Sequence, residues 1–137
     1  MAGTPNTTAS SALANLSSNQ AIRLLGVGKS VNLNATGDTP IPIIGSSNFS
    51  VAHVVLTNAS VSLTTALAGL FTAPAAGGVA IVANAALSAA TSAAVVSQRT
   101  VASTNAVTAN RTLYFNVGTA QGAAATGDVY VYGYDFS

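Results

Sequence analysis

"RTLYFNVGTAQGAAATGDVYVYGYDFS", residues 111–137, decides how this chain is read. Its last part places Tyr130, Tyr132 and Tyr134 on every second residue, continued by Phe136, with Val129 and Val131 between them. Successive side chains of a strand point to opposite faces. The spacing therefore predicts a strand with one aliphatic face and one aromatic face. "RTLYFNV" (111–117) alternates in the same way and is separated from it by a ten-residue, glycine-containing loop from Gly118 to Gly127. The simplest pairing is a hairpin with Val117 opposite Val129, Phe115 opposite Val131 and Arg111 opposite Asp135. That register puts the aliphatic residues on one face and lets opposite charges meet at the strand end. It also sets Tyr114 beside Tyr132 on the aromatic face.

Working outward, the rest of the chain reads as short β segments separated by turns. Strands are expected at 21–28, 30–34, 41–44, 49–57, 60–66, 67–73, 79–85 and 92–101, besides the two above. "TGDTP" (36–40) and "PAAGG" (74–78) carry turn chemistry. Pro42 cannot donate to a ladder, so 41–44 belongs at an edge or a bulge. Helix is limited to a turn or two near 85–91. The expectation is an all-β chain: an antiparallel β-sandwich or jelly-roll-like domain of about eight short strands over 20–137. Residues 1–19 are Ser, Thr, Asn and Ala with few large apolar groups, and read as an arm outside the sheets.

Composition narrows the function. The chain has 137 residues, enough for one domain with a proper core. Charged residues make up 5%, with no Glu and a net charge of +1, against about 25% charged in an ordinary soluble domain. So little charge gives little colloidal repulsion and suits a subunit that works in an assembly. Four scattered cations cannot neutralise a run of phosphates, so nucleic acid is not expected as a partner. With no Cys there is no disulfide and no thiolate metal site. The start lacks a basic region followed by an apolar core, so no signal peptide is expected. The apolar stretch from Gly78 to Val96 is interrupted by Asn84, Ser88, Thr91 and Ser92, and reads as two buried strands rather than a membrane span.

Catalytic patterns are weak. "GVGKS" (26–30) would be a phosphate loop only with a glycine where Arg23 stands. His53, the only histidine, reads as a satisfied core or interface imidazole on the parity of Val51 and Val55. Asp128 and Asp135 lie on opposite parities of one strand and Asp38 in a turn, so no carboxylate pair faces one substrate. No nucleophile elbow is present. The chain is not expected to be an enzyme or to hold a cofactor or metal.

The stretch 111–137, together with "LTTALAGLFTAPAAGGVAIV" (63–82), resembles small structural proteins of tailed phages and prophages, the head decoration or cement proteins. The resemblance implies a β-rich trimer or dimer, the trimer favoured, made in the host cytoplasm. It would bind the outside of the virion capsid and staple major capsid protein subunits together. The residues expected at the subunit or capsid interface are Tyr114, Tyr130, Tyr132, Tyr134 and Phe136, with Arg111 and Asp135 as a structural ion pair. The alternative is a carbohydrate-binding or adhesin-like β-sandwich of a virion fibre or tail, with the tyrosines as a sugar platform.

Overall fold

A computed structural model describes residues 21–102 and 108–137; the expected arm at 1–19 lies outside them. Eight strands follow in order: β1 (Arg23–Asn32), β2 (Gly37–Pro42), β3 (Phe49–Thr57), β4 (Leu67–Ala73), β5 (Gly77–Ala86), β6 (Ser97–Arg99), β7 (Thr112–Thr119) and β8 (Thr126–Asp135). They form two four-stranded antiparallel sheets, ordered β1-β8-β3-β6 and β2-β7-β4-β5. The expected sandwich is present, and the strand order is that of a jelly roll.

This order is what a single long two-stranded ribbon gives when it is rolled up. β1 pairs with β8, β2 with β7, β3 with β6 and β4 with β5. Rolling the ribbon then brings β8 against β3 and β7 against β4. The rolling closes a core between the sheets. Leu25, Val51, Val54, Leu56, Val129 and Val131 fill it from one side. Ile41, Leu70, Leu113, Phe115 and Val117 fill it from the other. All of these are at most 3% exposed.

The expected β7–β8 hairpin is not formed. The two strands are consecutive along one arm of the ribbon, so the chain crosses from one sheet to the other between them. Phe115 and Val131 are both buried, as alternation requires, but they belong to opposing layers instead of neighbouring strands. Alternation reports which face is apolar and does not report which strand lies alongside. Val129 takes Leu56 and Gly28 as its neighbours, and Val117 takes Ala68 and Gly37.

Other departures have local causes. The expected strands at 21–28 and 30–34 merge into β1, whose register shifts between Gly28 and Val31, where Ser30 takes a positive φ of 50°. The expected turn at 36–40 is mostly strand: β2 begins at Gly37 and lies at an edge, where Pro40 and Pro42 are tolerated. Residues 60–66 form no strand. They are held instead by Gln121, whose Oε1 accepts from the Thr65 and Ala66 amides at 3.1 Å each. Its Nε2 donates to the Ser62 carbonyl at 3.2 Å. Of the expected strand at 92–101 only Ser97–Arg99 pairs. No helix occurs among the described residues.

Gly133 marks the tightest strand contact. A Cβ there would run into the Ser50 carbonyl oxygen of β3 and come within 2.8 Å of Leu25 Cδ1. The contact falls where β3 bulges between Val51 and His53. Glycine lets the two backbones approach.

Candidate interaction surface

β8 is a central strand, flanked by β1 and β3. Its inward residues Val129 and Val131 are fully buried, and Tyr130, Tyr132 and Tyr134 are partly exposed on the outer face. The expected division of faces in β8 is therefore observed. Tyr130 and Tyr132 stack with centroids 6.5 Å apart and an interplanar angle of 16°. Tyr134 and Phe136 stack at 6.3 Å and 24°, and Phe136 is 48% exposed. The result is a row of four rings along the middle of the sheet.

Neighbouring strands set the margins of the row. Leu24 and Val27 of β1 pair with Tyr132 and Tyr130. His53 and Val55 of β3 pair with the same two tyrosines from the other side. The β3 bulge decides this. Before it, Val51 is buried; after it, Val54 and Leu56 turn inward while His53 and Val55 turn outward. His53 is thus an exposed residue beside Tyr132, not a core imidazole. Its Nδ1 lies 2.9 Å from Nε2 of Gln98, whose amide N–H donates to it. A bulge shifts parity without any local sequence mark, so the alternation of 49–57 grouped His53 with the buried Val51 as well as with Val55, and only the second grouping holds.

A charged clasp holds each end of the row. At one end Lys29 Nζ donates to Asp128 Oδ2 at 3.0 Å and to the Tyr130 hydroxyl at 2.6 Å. Asp128 also accepts from the Ser30 amide at 2.8 Å and from Asn58 Nδ2 at 3.2 Å. The Ser30 amide, Lys29 and Asn58 outweigh burial and hold the Asp128 carboxyl below its ordinary range. The bonds to Tyr130 and Asp128 raise the Lys29 ammonium. At the other end Asp135 pairs with Arg23 Nη2 at 3.0 Å. It also accepts from the Ser137 hydroxyl and amide and from the Ser46 hydroxyl. The Ser137 bonds lead in holding its carboxyl well below the usual carboxylate range, with Ser46 and then Arg23 adding to them.

The expected ion pair of Arg111 with Asp135 is therefore replaced by Arg23 with Asp135. Arg111 lies just before β7, in the other sheet, and contributes its carbonyl to the Ile43 amide at 2.9 Å. Tyr114 is displaced for the same reason. It pairs with Pro40 and Phe71 on the outer face of the opposite sheet. The five expected interface residues thus divide into four on one face, Tyr130, Tyr132, Tyr134 and Phe136, and one, Tyr114, on the other.

The remaining carboxylate is Asp38, which accepts from Asn116 Nδ2 at 2.8 Å and from the Ala75 amide at 2.7 Å. Each of the three Asp side chains is thus committed to holding the fold. No cluster of three or more His, Cys, Asp or Glu suited to a metal occurs among the described residues. No helix among them is long and apolar enough to cross a membrane. No protein-family model, curated protein or solved structure matches the chain. The two clasps and the His53–Gln98 contact escaped the sequence reading because each joins residues from strands far apart in the chain. The one legible sign was the parity shared by Asp128 and Tyr130.

Proposed function

We propose that this chain is a structural virion protein that binds the outer surface of a tailed-phage capsid and cements major capsid subunits. The aromatic row is its contact face. The observation that carries the reading is the placement of Tyr130, Tyr132, Tyr134 and Phe136 on the outside of a sheet whose inner side already completes the core. A domain needs one apolar face per sheet; a second, aromatic one is surplus to folding. Tyrosine suits a contact surface because it buries a large ring and keeps a hydroxyl for water or a polar partner. The low charge of the chain and its resemblance to decoration proteins support the same reading. In it the chain assembles as a homo-oligomer, a trimer, whose several copies multiply weak contacts through effective concentration. It performs no catalysis and takes no nucleic acid.

The experiment is co-sedimentation of the purified protein with capsids that lack it, beside light scattering for the oligomer. Saturable binding that raises the capsid's thermal stability is expected for the wild type and is lost in Tyr132→Ala. A folded Tyr132→Ala variant that still saturates the capsid would refute the reading. The stacked, hydroxyl-bearing rings beside His53 and Gln98 favour one other occupant, a sugar ring. Glycan binding by the isolated domain without capsid binding would decide for that carbohydrate module.

A further inference from the structure

Four strands bound the two sheets: β1 and β6 in one, β2 and β5 in the other. Sheet edges expose backbone N–H and C=O groups, and folds guard them with charge, proline, bulges or brevity. β1 carries Arg23 and Lys29, β2 carries Pro40 and Pro42, and β6 has three residues. β5, "GGVAIVANAA", is ten residues long with neither charge nor proline. Bulges against β4 bend it, so only short runs of its edge are straight. At one point the Ala102 amide donates to its Ile81 carbonyl at 2.8 Å.

The sandwich is open between β5 and β6. A cleft of about 190 Å³ lies there, between Val82, Ala83 and Ala85 on one side and Gln98, Arg99 and Thr100 on the other. Arg99 pairs with the inward-facing Val54, which aims its side chain into this opening. The guanidinium is half-buried, and burial alone pulls it below its ordinary value. It makes no hydrogen bond or ion pair among the described residues. Arginine cannot shed its proton to escape burial, so a group that accepts its hydrogen bonds, an anion above all, relieves the cost. The chain cannot supply that anion from a side chain. It has three Asp and no Glu, and each Asp is held elsewhere: Asp38 by Asn116, Asp128 by Lys29 and Asp135 by Arg23.

We propose that this cleft docks an extended acidic segment of a different protein, its Asp or Glu carboxylate on Arg99 and its backbone beside the Val82–Ala85 stretch of β5, past the positions that Ala80 and Ile81 already have engaged. Added strands draw affinity from main-chain hydrogen bonds and specificity from side-chain pockets. A guanidinium matches a carboxylate with two parallel hydrogen bonds. The Asp side chains of a second copy do not fit the role, since they are already engaged in the same way. The site lies apart from the aromatic row.

The test is selection from a displayed library of random short peptides, on the wild type and on Arg99→Met in parallel. Peptides enriched on the wild type carry Asp or Glu at one fixed position. Replacing that residue by Asn or Gln, or Arg99 by Met, lowers affinity by fluorescence anisotropy at least about 10-fold. Arg99→Met keeps the apolar stem and removes the unpaired charge, so its Tm rises by about 2–4 °C. Tyr132→Ala leaves peptide affinity unchanged. The proposal is overturned by a library with no enriched acidic position or by equal affinity for Arg99→Met. A lower Tm in Arg99→Met overturns it too, as does loss of peptide binding in Tyr132→Ala.

Discussion

Val131 and Tyr132 are adjacent in β8 and point to opposite faces, so truncating each separates folding from assembly. Val131 is 0% exposed. Val131→Ala removes two methyl carbons, worth about 1.6 kcal/mol in transfer at about 0.8 kcal/mol per carbon. A partly relaxed cavity of roughly 40 Å³ adds about 1 kcal/mol. The sum, about 2.5 kcal/mol, corresponds to a fall in Tm on the order of 10 °C for a domain of this size. Tyr132 is partly exposed and packs beside Leu24, His53 and Tyr130. Losing that packing costs the lone domain about 1 kcal/mol. At a buried contact the same truncation costs about 2 kcal/mol or more, a loss of about 30-fold in affinity. Thermal unfolding gives the first quantity; light scattering and capsid co-sedimentation give the second. Val131→Ala should melt early yet bind when folded, and Tyr132→Ala should melt only about 4 °C below the wild type yet fail to assemble. Equal losses of Tm in the two variants, with assembly intact in Tyr132→Ala, would show that the ring belongs to the fold and would refute the reasoning.

Three further outcomes are expected. Gly133→Ala should destabilise the domain by about 1–3 kcal/mol, because the new methyl meets the Ser50 carbonyl; denaturant unfolding with wild-type stability would show that β3 and β8 can separate there at no cost. The folded-state values of Asp128 and Asp135 lie below their ordinary 3.8, so their contribution is complete above that value and is lost as pH falls through the depressed ones. Tm should be level from neutral pH to about pH 5 and drop below about pH 4, by less in Asp128→Asn, and a Tm unchanged to about pH 2 would count against both clasps. Ser97 carries a buried hydroxyl with no hydrogen-bond partner among the described residues, so Ser97→Ala should raise stability by up to about 1 kcal/mol, and a decrease in chemical denaturation would reveal a bond to that hydroxyl.

The sequence by itself determined that the chain is all-β and where several of its strands run. β3 and β4 were legible to the residue, because each is an apolar run bounded by turn chemistry. The division of β8 into a valine face and a tyrosine face was legible as well, because a period of two is local to the strand. Neighbours were not legible. Leu113, Phe115 and Val117 fit Val129 and Val131 equally well beside them in one sheet or across from them in two. Only the rolling of the whole ribbon chose the second arrangement, and with it the partners of Asp135 and the side on which Tyr114 lies. Bulges decided the rest. One extra residue near Ala52 reverses the parity of β3 and, of the core and interface places open to His53, removes the core one by setting it on the aromatic face. Arg99 read as one of four scattered cations until the gap between β5 and β6 left it half-buried. Burial, register and charge pairing are sums over strands distant in sequence, so they come into being only when the sheets close.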